Sequence, residues 1–186
     1  KNLNSHKMKN LNSHKMKRNL LICFTLILST NLFSQSFDIS KIRAGGGLMF
    51  ATEIKNVGLT LNGTYEITEQ WEGTLAFTHI FEKDYFKWNV LDLDGHYVFY
   101  KQDEKLNVYG LAGLSFTFWK VTIPAMDLGY GFTTPEITDT GSDIGLNIGL
   151  GATYKLTDKL NLSPEMRFTI IDGSYLRIGA TLQYMF

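Results

Sequence analysis

The sequence lacks long apolar runs and has a single cysteine, Cys23, close to the amino end. A transmembrane helix needs about 20 apolar residues, and the run from Leu20 to Leu28 is too short. If the amino end is removed, the remaining chain has neither a disulfide nor a thiol nucleophile. No phosphate-binding loop, zinc ligand set or catalytic triad is visible, so no cofactor or metal is predicted.

The first 36 residues have the features of an export signal. The segment KNLNSHKM occurs twice and is followed by Lys17 and Arg18. An apolar region of about a dozen residues comes next, and small and polar residues follow up to Ser36, which is the order of parts in a cleavable signal peptide. We therefore expect residues 1–36 to be a signal peptide with a duplicated amino-terminal segment, and residues 37–186 to form one domain.

The charges differ between these two parts. All six charged residues of the first part are basic, which leaves 12 basic and 18 acidic residues, a net charge of −6, in residues 37–186. A mildly acidic domain is a poor ligand for a polyanion, so we expect no nucleic-acid partner.

From Lys41 to Phe186 the dominant pattern is alternation of apolar and polar residues, the period of a β-strand with two different faces. No helical period competes with it. The alternation predicts an all-β protein with eight antiparallel strands in up-and-down order. The predicted strands are 41–52, 57–68, 71–82, 87–101, 105–120, 143–156, 159–171 and 174–186.

The connections are of two kinds that alternate along the chain. Three short polar turns, each preceded by a tyrosine, follow the second, fourth and sixth strands, at 65–71, 100–106 and 154–160. The other connections are 53–56, 83–86, 121–142 and 172–173, so each kind should lie at one end of the meander. Only 121–142 is long. It carries two prolines, and we predict that it is a surface loop presenting Met126, Tyr130 and Phe132.

Volume decides which face points inward. The interior of an eight-stranded barrel is just wide enough for side chains to fill, and the bulky apolar residues of all the strands would overfill it. The apolar face should therefore point outward into lipid, with Gly, Ser, Thr, Asn and a few charges inside. Aromatic residues favour the two lipid–water interfaces. We expect girdles formed by Tyr65, Trp71, Phe99, Tyr154, Tyr184 and Phe186 at the short-turn end, and by Phe81, Phe86, Trp88, Phe116 and Phe118 at the loop end.

The last strand carries a family resemblance. Gly179, Leu182, Tyr184 and Phe186 match the polar-x-Gly-x-x-apolar-x-aromatic ending that outer-membrane barrels present to their assembly machinery. Over nearly all of 41–186 the chain resembles the small outer-membrane barrels of the OmpA-transmembrane and OmpX/Ail kind. The resemblance implies an eight-stranded transmembrane β-barrel, located in the outer membrane, that contributes to envelope integrity or surface interaction without catalysis. Its expected partners are the lipid bilayer, lipopolysaccharide and the assembly machinery, and it is expected to be a monomer with an unknown surface ligand.

Charged residues on the inward face predict a lumenal network. If the 53–56 turn centres the first hairpin, facing residue numbers sum to about 109, which sets Arg43 opposite Glu66, and the next turn sets Glu66 beside Glu72. We expect Arg43 to bridge both carboxylates. Further along the barrel, Asp92 and Asp94 should face Arg167, with Glu165 and Arg177 in reach of the same network. His96 lies on the same face. We expect this network to plug the lumen and to hold the shape of the barrel.

Other interpretations of the same residues stay open at this point. Asp92, Asp94 and His96, spaced two apart, could instead bind a metal or perform acid–base chemistry. His79 could serve a lipid-modifying enzyme, although no hydroxyl nucleophile with a carboxylate partner lies beside it in sequence. A narrow channel and a soluble periplasmic ligand-binding barrel are the remaining alternatives.

Overall fold

The structure, a computed structural model, describes residues 38–103, 105–127, 129 and 133–186. The expected signal peptide, Tyr130 and Phe132 lie outside these residues. A short 3-10 turn, Ile39–Lys41, precedes the first strand. The eight strands are β1 Ile42–Ala51, β2 Asn56–Glu66, β3 Trp71–Lys83, β4 Phe86–Gln102, β5 Leu106–Ile123, β6 Ile137–Lys155, β7 Leu160–Ile170 and β8 Tyr175–Met185.

The strands form one closed antiparallel barrel in sequence order, with β1 pairing with β8. The predicted all-β fold with eight strands is confirmed. Among the described residues, no helix is long and apolar enough to span a membrane.

The outer face of the barrel is apolar and its inner face is mostly polar. Along most of each strand, buried and exposed residues alternate, as expected for a sheet whose two faces differ. Leu61 is 58% exposed and Leu146 is 57% exposed, whereas Thr60 and Asn147 on the other face are buried. The predicted inside–outside arrangement is therefore the observed one.

The prediction for Trp88 is wrong. It was expected in the outer aromatic girdle, but its side chain packs on the lumen side against Ala51, Ile80 and Val90. Its ring also makes an edge contact with Tyr175, with ring centroids 5.0 Å apart. Trp88 has the same parity along β4 as Val90 and Asp92, and side chains of one parity point to one face.

The predicted loop 121–142 is too long. Strands β5 and β6 continue as a hairpin whose last pair is Ile123 with Ile137, so the connection is only 124–136. The β-branched residues before Pro124 and after Pro135 favour extended backbone, and the two prolines bound the loop.

The register of the first hairpin also differs from the prediction. Ala51 pairs with Asn56, so the turn occupies 52–55, and facing residue numbers sum to 107. Arg43 consequently pairs with Thr64 and not with Glu66. A turn centre that moves by one residue moves each partner by two, which keeps the side chain on the same face but displaces it along the barrel.

Candidate functional site

The centre of the lumen holds a compact ionic cluster that joins three strands. Asp92 on β4 contacts Arg167 on β7 and Arg177 on β8, with Nη1 of each arginine 2.6 Å from Oδ2 of Asp92. Arg167 also contacts Asp94, with Nη2 3.1 Å from Oδ2. All four side chains are buried. The structure thus brings these predicted residues together, and Asp92 is shared by both cations.

Neutral side chains complete this cluster. Asn147 on β6 donates from Nδ2 to Oδ1 of Asp92 at 2.9 Å and to Oδ1 of Asp94 at 3.0 Å. Thr169 donates to Oδ1 of Asn147 at 2.8 Å. These two residues were not predicted to join the network, although their parity places them on the lumen face with the charges.

An aromatic stack connects the central cluster to the short-turn end. Glu165 contacts Arg167 and accepts a hydrogen bond of 3.2 Å from the hydroxyl of Tyr109. The Tyr109 ring is stacked on His96, with centroids 4.3 Å apart and an angle of 9° between the planes. Gly151 leaves the space for this ring, because a Cβ there would overlap the Tyr109 ring atoms.

At the short-turn end, Arg43 has one carboxylate partner and not two. Its Nη2 lies 2.8 Å from Oε2 of Glu72, and Nδ1 of His96 lies 3.6 Å from the same oxygen. Glu66 does pair with Glu72 in register, as predicted. Within the part of the chain that the structure describes, however, Glu66 makes no ion pair with Arg43, so the predicted bridge to both carboxylates is wrong.

Asp92, Asp94 and His96 do not converge on a common point. The two aspartates face arginines, whereas His96 faces Glu72 and Tyr109. Among the described residues, no group of three or more His, Cys, Asp or Glu side chains is arranged to hold a metal ion. The geometry therefore gives no support to the metal-site interpretation of this trio.

Two apolar clusters lie inside the barrel, one towards each end of the ionic network. Towards the loop end, Ala51, Ile80 and Val90 are buried together, with Ile54 and Trp88 packed against them. Towards the short-turn end, the cluster is Val98, Tyr109 and Leu111. Neither cluster was predicted from the sequence, for which small, polar and charged groups were expected inside.

His79 lies on the outward face, as expected. Its Nδ1 is hydrogen-bonded to Oδ1 of Asn89 at 2.7 Å, and its ring contacts the edge of Phe81. An amide partner alone does not supply the hydroxyl or thiol nucleophile that covalent catalysis requires.

The β5–β6 hairpin extends past β7 at the loop end, while on its other side β5 pairs with β4 up to Val121. Pairing of β6 with β7 begins only at Leu146 with Ile170, so among the described residues 137–144 pair with β5 alone. The Trp119 ring covers Gly141 on the facing strand, and its Nε1 donates to Oδ2 of Asp143 at 2.9 Å. These contacts hold the two strands of the hairpin together where β6 has no pairing with β7. Met126 follows β5 and is 54% exposed.

The residues of the predicted assembly signal lie at the seam that closes the barrel. Leu182, Tyr184 and Phe186 are exposed on the outer face. Gly179 faces inward and pairs with Met49 of β1, where a Cβ would overlap the backbone of Leu48. This glycine therefore allows the close approach of β8 to β1.

Solved structures of similar fold agree with this architecture. The amino-terminal barrel domain of Pseudomonas aeruginosa OprF matches with a TM-score of 0.60 at 16% identity, covering 77% of this chain and 96% of that one. Neisserial surface protein A matches with 0.57 at 18%, covering 78% and 96%. Ail of Yersinia pestis matches with 0.52 at 18%, covering 78% and 96%.

No curated protein matches the chain at a significant level. The model of the family described as "Outer membrane protein beta-barrel domain" matches residues 24–186, most of the chain. The chain therefore belongs to this family of outer-membrane β-barrel proteins.

Proposed function

We propose that this outer-membrane barrel neither conducts nor catalyses, and that it serves to present the β5–β6 hairpin at the cell surface. Two observations support the proposal: paired charges and apolar side chains lie across the interior, and the β5–β6 hairpin extends past β7 at the loop end. A transporter would need an open interior, whereas a display scaffold needs only a stable one.

The contents of the lumen support the non-conducting part of the proposal. Arg167 and Arg177 cross the interior to reach Asp92, and apolar side chains occupy the lumen on both sides of these charges. An ion on this path would have to displace paired charges and then pass apolar constrictions, and both steps are costly.

The geometry of the hairpin supports the interaction part. The edge formed by residues 137–144 is about 25 Å long at roughly 3.3 Å per residue, and its outer backbone groups have no strand partner among the described residues. Such an edge can accept an extended segment of another protein by strand addition. Because Trp119 and Asp143 already hold the hairpin in shape, binding would require little ordering of this chain.

Charge indicates what kind of surface partner fits. The loop end carries eight acidic and four basic side chains. The acidic ones are Glu53, Glu82, Asp84, Asp127, Glu136, Asp139, Asp143 and Asp172, and the basic ones are Lys55, Lys83, Lys87 and Lys120. Ail has been solved with the heparin analogue sucrose octasulfate, a polyanion. For this chain the acidic surplus favours a cationic partner instead.

We further propose how the chain is exported, inserted and oriented in the outer membrane. Residues 1–36 are removed on export, and Gly179, Leu182, Tyr184 and Phe186 present the assembly signal to the insertion machinery. The barrel then lies in the bilayer as a monomer beside lipopolysaccharide. The turns near Thr68, Asp103 and Asp158 face the periplasm, and the loop that carries Met126, Tyr130 and Phe132 faces outward.

Cysteine labelling in intact cells tests whether the β5–β6 hairpin is exposed at the cell surface. Met126→Cys lies in the loop, and Asp158→Cys lies in a short turn where the Asp158 side chain is 98% exposed. We expect a membrane-impermeant maleimide to label residue 126 in intact cells, and residue 158 only after lysis. Labelling of 158 but not 126 in intact cells would overturn the proposed orientation and with it the display function.

A further inference from the structure

The lipid-facing wall of the barrel contains a bounded apolar depression of about 560 Å³, a size within the range of small-molecule sites. Its floor is formed by residues with little or no side chain. Gly95 on β4 pairs with Ala112 on β5, and Gly110 on β5 pairs with Tyr97 and Leu150. Cβ positions built on Gly95 and Gly110 meet no atom closer than 3.8 Å, so the space above the floor is open.

Large side chains border this floor, and the lining continues past β6 to Met166 and Phe168 of β7. Towards the short-turn end, Trp71 and Tyr97 stand side by side with ring centroids 4.9 Å apart. Ile148 and Leu150 of β6 form one flank. Towards the loop end, the next paired row is closed by four leucines in register, Leu75, Leu93, Leu114 and Leu146. The leucine row therefore limits this depression, called the pit below, towards the loop end.

We propose that this pit is a binding site for one acyl chain of a phospholipid in the leaflet at the short-turn end. The pit opens onto the same outward wall that the bilayer covers in an outer-membrane barrel, so hydrocarbon is the material in contact with it. An empty apolar pit would forfeit dispersion contacts on every wall, and a chain end inserted there restores them.

The aromatic rim gives the lipid its orientation. The indole N–H of Trp71 and the hydroxyl of Tyr97 belong to side chains that favour the headgroup level, with an apolar body and a polar tip. A lipid whose headgroup lies at this rim directs its chain over Gly110 towards Gly95 and Ala112, and the leucine row limits how far the chain end can enter. A second copy of the barrel fits poorly, because the convex wall of one barrel cannot fill a depression in the convex wall of another.

Substitutions that fill the pit with a larger side chain test the proposal. Gly110→Leu and Gly95→Leu each place a side chain in the open space, whereas Gly63→Leu adds the same side chain on β2, outside the pit, where a Cβ also meets nothing within 4 Å. Native mass spectrometry of each variant, extracted in mild detergent from phosphatidylethanolamine vesicles, counts the retained phospholipids. We expect one lipid on the parent and on Gly63→Leu, and its loss from both filled variants.

A second readout locates the lipid. With Trp88 and Trp119 replaced by Phe, the fluorescence of Trp71 reports on the rim of the pit. Phospholipids brominated along the acyl chain should quench Trp71 more strongly in the parent and in Gly63→Leu than in Gly110→Leu. Equal lipid retention and equal quenching in all variants would overturn the site and leave only ordinary surrounding lipid. Because each variant is first checked for the mobility shift of the unboiled barrel, a folding failure is not mistaken for loss of the lipid.

Discussion

Arg177 and Asp92 are joined by two hydrogen bonds across the interior of the barrel, from Nη1 to Oδ2 at 2.6 Å and from Nη2 to Oδ1 at 2.9 Å. Such a bidentate pair fixes the relative position of two strands that are not neighbours in the sheet, β4 and β8. Arg167 reaches the same carboxylate from β7. The central cluster thus braces the barrel from within.

Arg177→Met should destabilise the folded barrel. It leaves Asp92 and Asp94 with a single arginine in a buried site, and removing one partner of a buried ion pair costs about 3–5 kcal/mol. Urea unfolding of the barrel in detergent measures the change in the free energy of unfolding. Lys87→Met is the control, because its pair with Glu82 is long, at 3.9 Å, and exposed, and should cost about 1 kcal/mol or less. Equal losses in both variants would contradict the bracing role.

Asp92→Asn added to Arg177→Met should recover part of that loss. The second change removes charge from the buried carboxylate, so the remaining arginine and acids are closer to balance. The same unfolding measurement applies. A double variant less stable than Arg177→Met alone would show that the charge of Asp92 is not what the missing arginine compensated.

Gly151→Ala should destabilise the barrel through the aromatic stack. A Cβ at this position overlaps the Tyr109 ring, which must then move off His96. Overpacking of this kind costs about 1–3 kcal/mol. Gly63→Ala adds the same methyl group where nothing lies within 4 Å and serves as the control in thermal unfolding. If the two variants have the same melting temperature, the position of the Tyr109 ring does not depend on the space left by Gly151.

The fold and the ionic cluster could be predicted from the sequence because both depend on parity, that is, on whether a residue is odd- or even-numbered along its strand. Alternation assigns Asp92, Asp94, Arg167 and Arg177 to one face before any register is known, and a narrow barrel leaves such residues few partners except one another. The partner of Arg43 could not be predicted from parity alone. This partner depends on where a four-residue turn is centred, and a shift of one residue exchanged Glu66 for Thr64.

The interior aromatics were missed for a different reason. Trp88 and Tyr109 share the parity of the lumen face, but composition suggested that large apolar side chains belong outside. The register of β5 with β6 places Tyr109 opposite Gly151, and this large–small pair makes room for a ring in a narrow interior. This pairing joins residues on two different strands, so the alternation within one strand does not predict it.

Trp119→Phe should loosen the projecting hairpin without unfolding the barrel. It removes the N–H donor to Asp143, a hydrogen bond worth about 1 kcal/mol, and keeps most of the ring over Gly141. We expect limited proteolysis to cut within 124–136 about five times faster than in the parent, with the global unfolding midpoint nearly unchanged. Phe118→Leu, on the outward face, is the control. Unchanged cleavage would mean that this bond does not stiffen the hairpin.

Single-channel recording in planar bilayers determines whether ions can pass through the interior of the barrel. The folded parent protein should give no discrete conductance steps at any applied voltage that the bilayer tolerates. Steady, ohmic steps from the parent at neutral pH would contradict the account and would identify the barrel as a channel.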